Sequence, residues 1–119
     1  PRCRILVTSR TYAYQNPAWK LTGFAEAVLS IFTEAQIRSF VSRWYAFITR
    51  FRGMTEQDAL TQAEELTERI FDNTRLRELA ERPILLTLMT SLHASRSRLP
   101  EKRVELYQDT LDLLLYRWE

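Results

Sequence analysis

The sequence predicts a mostly α-helical chain in which one or two β-strands at the amino end precede a bundle of five helices. Two observations carry this. From Thr33 onward, apolar residues recur at steps of three and four, the period of a helix with one buried face. Before that, Ile5-Leu6-Val7 is an unbroken apolar run bounded by polar residues, the pattern of a short strand covered on both faces, as in parallel sheets. The seam falls near residue 33, dividing an α+β remnant over 1–32 from a helical domain over 33–119.

Each element follows from its local chemistry. Thr8, Ser9 and Arg10 end the first strand, with Cys3 expected to pack as a small apolar residue inside it. The segment from Thr11 to Lys20 has turn chemistry at Asn16-Pro17 and reads as a surface excursion. Val28-Leu29-Ser30-Ile31-Phe32 reads as a second strand, and the Ile5–Val7 edges are expected to pair with it or with a second copy of the chain. Thr33 then caps a helix, with Gln36 completing a capping box. Ile37, Phe40, Val41, Trp44, Ile48 and Phe51 fall on its apolar face, and Gly53 stops it. Thr55 caps the next helix, whose buried stripe is Ala59, Ala63, Leu66 and Ile70. A short third helix spans about Thr74 to Glu81, using Leu76 and Leu79. Pro83 suits the first turn of a fourth, where a missing N–H costs little. That helix is apolar on nearly every side, which predicts a central position. After a polar break over 95–99, Pro100 opens the last helix, with Val104, Tyr107, Leu111, Leu114 and Trp118 in period.

Composition excludes several classes of function. The chain has 119 residues, 45% hydrophobic and 27% charged, which suits one globular, soluble domain. Its longest apolar runs fall far short of a membrane span or a signal peptide core. A net charge of +2, with both signs interspersed, argues against nucleic acid or an anionic membrane as partner. One cysteine and one histidine (His93) cannot form a structural zinc site, and no metal site is expected. A lone cysteine fits a reducing, cytoplasmic setting. His93 is expected on a helix surface or half-buried. Neither Gly23 nor Gly53 is followed by Lys-Ser/Thr, so the sequence holds no phosphate-binding loop. The chain opens on Pro1 without a Met, from which a longer parent protein is expected.

What remains is a polar strand end, Thr8-Ser9-Arg10, and a distant run from Arg82 to Leu88. Between and around them lie W-x-L-x-GF from Trp19 to Phe24, L-x-x-F-x-x-x-Q-I-x-x-F-V from Leu29 to Val41, N-x-x-L-R-E-L-A-x-x-P-I-L-L-T-L-M from Asn73 to Met89, and L-P-x-x-R-x-x-L-Y from Leu99 to Tyr107. In order and spacing this resembles the distal half of a NACHT domain. These are STAND-class P-loop NTPases, which include NOD-like receptors and bacterial defence or signalling proteins.

The resemblance implies a strand remnant of the nucleotide-binding sheet followed by the NACHT helical domain. It implies ATP or dATP with magnesium as cofactors of the intact parent, and none for this fragment alone. An N-terminal P-loop domain and C-terminal winged-helix or repeat domains would be its partners, with nucleotide state coupled to signalling or homo-oligomerisation. Arg10 matches the arginine that ends the sensor-1 strand and approaches the γ-phosphate. Pro83 matches the helical-domain proline that packs on adenine. No catalytic residue is expected within the chain, because the phosphate loop, its lysine and the metal supply triphosphate affinity in such enzymes. The competing reading is a free-standing helical module that binds a partner protein through an apolar stripe on the first or last helix of the bundle.

Overall fold

The computed structural model describes residues 2–96 and 99–116. It divides into two compact units, Pro1–Ser30 and Ile31–Glu119. Among the described residues there are six α-helices and no β-strand.

The first unit holds one short helix, α1 (Thr11–Tyr14), and a single 3-10 turn over Pro17–Trp19. Arg10 precedes α1 in extended geometry, and its carbonyl accepts from the Ala13 and Tyr14 amides. Asn16 starts the 3-10 turn by accepting the Ala18 N–H on its side chain at 3.0 Å, with Pro17 in the first position. Tyr14 Oη accepts the Leu21 amide at 3.2 Å, which folds the segment back on itself.

Both predicted strands are absent. Residues 4–9 and 28–32 are non-helical but belong to no ladder. A strand becomes regular structure only when its N–H and C=O groups find a neighbouring strand. Here Leu6 is 90% exposed and Leu29 99% exposed, so the apolar runs lack the layers that would cover them. Cys3 is likewise exposed rather than packed.

The second unit is helical: α2 (Glu34–Arg52), α3 (Glu56–Asp72), α4 (Thr74–Ala80), α5 (Pro83–Arg96) and α6 (Arg103–Tyr116). Thr33 caps α2 by the expected reciprocal pair: its hydroxyl accepts from the Gln36 amide, and Gln36 Oε1 accepts from the Thr33 amide at 2.9 Å. Gly53 ends α2 at φ 63°, the left-handed geometry that a β-carbon disfavours. Thr55 caps α3 and Asn73 caps α4, the latter accepting from both Arg75 and Leu76. Pro83 takes the first position of α5. Pro100 lies three residues ahead of α6 and is buried, so it sets the approach to that helix rather than its first turn.

Packing runs α2 on α3, α3 on α4, α4 on α5 and α5 on α6, and α5 also meets α2 and α3. The central place expected for α5 is thus observed. Leu85, Leu86, Met89 and Leu92 are all buried there, each such side chain worth about 1.5–3 kcal/mol of burial. The stripe of α3 is buried as its spacing predicts, at Ala59, Ala63, Leu66 and Ile70. On α2 the core face is Ile37, Val41, Tyr45 and Ile48, whereas Phe51 is 73% exposed. On α6 the predicted stripe is outside: Val104 is 76% exposed, and Tyr107, Leu111 and Leu114 are exposed as well. Leu106 and Thr110 face the core instead. Trp118, and Ser97 and Arg98 of the polar break, lie outside the described residues.

Candidate functional site

Arg10 and Pro83 belong to different units. Arg10 is exposed, and its Nη1 donates to Tyr12 Oη at 3.1 Å. Its own backbone lies at φ −70° and ψ 138°, immediately before the turn of α1, rather than at the end of a strand. The guanidinium keeps most of its five donors for an outside acceptor.

Pro83 is exposed at the first position of α5. Its neighbours Arg82 and Leu85 line a cleft of about 550 Å³ that also takes Ile31, Leu79, Arg75 and residues 101–103. Leu79 and Leu85 give this cleft apolar surface. Arg75, Arg82, Lys102 and Arg103 bring four cations, set against Glu78, Glu81 and Glu101. Several of these charges are already engaged. Glu101 Oε1 accepts from Asn73 Nδ2 at 2.8 Å, Lys102 pairs with Glu105 at 3.4 Å, and Arg103 lies over the Tyr107 ring. Arg75 and Arg82 have no such partner among the described residues. Phe32 closes the edge of this region, its amide donating to the Glu81 carbonyl at 2.8 Å.

A second cluster is buried, including His93, for which the sequence predicts a helix surface or a half-buried place. His93 on α5 is 1% exposed, and its Nδ1 hydrogen-bonds to the hydroxyl of fully buried Tyr45 on α2. Nε2 makes no hydrogen bond and faces Glu65 Oε1 of α3 at 3.9 Å. A lone pair aimed at a carboxylate would be repelled, so Nε2 carries the ring proton and the phenol donates to Nδ1. Burial lowers the His93 pKa from 6.5; Glu65 opposes that shift and Arg69 adds to it. Burial also pushes the Tyr45 phenol well above its ordinary value, with Glu65 contributing in the same direction. At neutral pH both groups are therefore uncharged. They behave as a core hydrogen bond joining α2 to α5, without a reactive partner. No group of three or more acidic, histidine or cysteine side chains suited to a metal occurs among the described residues.

Two exposed apolar surfaces complete the picture. A groove of about 430 Å³ runs along α2 between Phe32, Phe40, Trp44 and Phe47, with Arg43 on its rim. On α6, Tyr107, Leu111, Leu114 and Leu115 form an exposed ridge. Period alone identifies both surfaces as apolar; it does not say that they face outward. No helix of the described residues is long and apolar enough to cross a membrane. Comparison with protein-family models, curated proteins and solved structures finds no match to this chain.

Proposed function

We propose that this chain is the helical portion of a NACHT-type STAND NTPase, working in the cytoplasm as the part that couples nucleotide state to signalling or oligomerisation. The reading rests on the run from Asn73 to Met89, in which a capped short helix leads directly into a core helix opened by Pro83. The supporting observation is that Pro83 presents an exposed, rigid ring beside a largely charged cleft that also takes Ile31 and Leu79, with two guanidinium groups, Arg75 and Arg82, that have no partner among the described residues. A purine face suits such a ring, and the cations suit phosphate oxygens. Arg10 is the proposed reader of the γ-phosphate, and ATP or dATP with magnesium the proposed ligand of the intact parent.

The test has two arms. The isolated chain is expected to show no ATP binding at micromolar concentration by calorimetry, because the loop amides, lysine and metal lie elsewhere. In the parent, Arg10→Ala is expected to weaken hydrolysis or nucleotide-driven oligomerisation, and Pro83→Ala to weaken nucleotide affinity. Unaltered turnover, oligomerisation and affinity in both variants would remove these residues from any nucleotide site.

A second reading, a helical module that binds protein, is favoured by the exposed ridge on α6. Monomeric domains seldom leave contiguous apolar patches of this kind uncovered. The two readings part on whether a G-x-x-x-x-G-K-[ST] segment and an acidic strand precede this sequence in its parent gene.

A further inference from the structure

We draw no further inference here: the strongest candidate, the exposed apolar groove along α2 between Phe40, Trp44 and Phe47 with the outer ridge of α6, carries nothing because nothing in the structure shows what covers either face.

Discussion

At the scale of single residues, the most consequential side chains are Tyr45 and His93, which place a hydrogen bond between uncharged groups in the centre of the bundle. Their titration ties stability to pH. The folded pKa of His93 lies below 6.5, so on acidification the unfolded chain takes up that proton first. The histidine contribution is complete above about 6.5 and is lost as pH falls below it. Tyr45 works from the other side: its folded pKa lies above 10, so its contribution is complete below 10 and is lost as pH rises further. Urea unfolding between pH 5 and 8 is therefore expected to show stability falling on the acid side, with that slope reduced in His93→Gln. Tyr45→Phe leaves Nδ1 without its donor in the core and is expected to cost about 1–3 kcal/mol at pH 7. Because His93 is the only histidine, its ring resonances in NMR report the same titration without ambiguity. A midpoint at or above 6.5 would contradict the burial argument. The burial of His93 was not legible in the sequence. The weak polarity of the helix's wet side explains this: α5 shows solvent mainly small hydroxyls, Thr87 and Ser95, opposite His93, and these are a fainter signal than a charged face would be.

At the scale of helices, the ends were legible and the faces only partly so. Caps are local chemistry: Thr33 with Gln36, Thr55, and Gly53 in left-handed geometry declare themselves within four residues. Thr33→Ala removes the hydroxyl half of the capping box and is expected to lower stability by about 1 kcal/mol, read as a shift of the urea midpoint at unchanged slope. A change of less than a few tenths would mean that water serves the Gln36 amide equally well. Faces depend on what lies opposite, and two helices of this bundle have two apolar stripes each. On α6 the stripe with the larger side chains is outside, while the inner face includes a threonine. Thr110 is tolerated there because its hydroxyl donates back to the Leu106 carbonyl at 2.7 Å, hiding its polarity. Thr67 and Thr90 do the same at the Ala63 and Leu86 carbonyls. A count of hydrophobic residues therefore ranks the wrong side first. The same ambiguity on α2 placed Phe51 inside.

At the scale of the whole molecule, helical content was legible from period and the strands were not, because a strand is a property of its neighbours. Ile5-Leu6-Val7 carries the composition of a buried strand, yet nothing among the described residues pairs with it. The candidate site divides in the same way. Pro83 stands at the helix start that its chemistry dictates, whereas Arg10 lacks the strand that gave it a role by resemblance. The distribution of the core carries the last prediction. Every buried apolar residue of the described chain lies between Ile37 and Leu106, and none of residues 2–30 is buried. Large burial is what offsets the entropy of ordering a chain, so the energy that holds this bundle is supplied from 31 onward. A chain comprising residues 31–119 is accordingly expected to keep the helical circular dichroism signal and one cooperative thermal transition. Its midpoint is expected within about 4–8 °C of the full chain, the shift that 1 kcal/mol produces in a domain of this size. Loss of cooperativity on removing 1–30 would show instead that the first segment contributes to the bundle through surfaces that burial of single residues does not reveal.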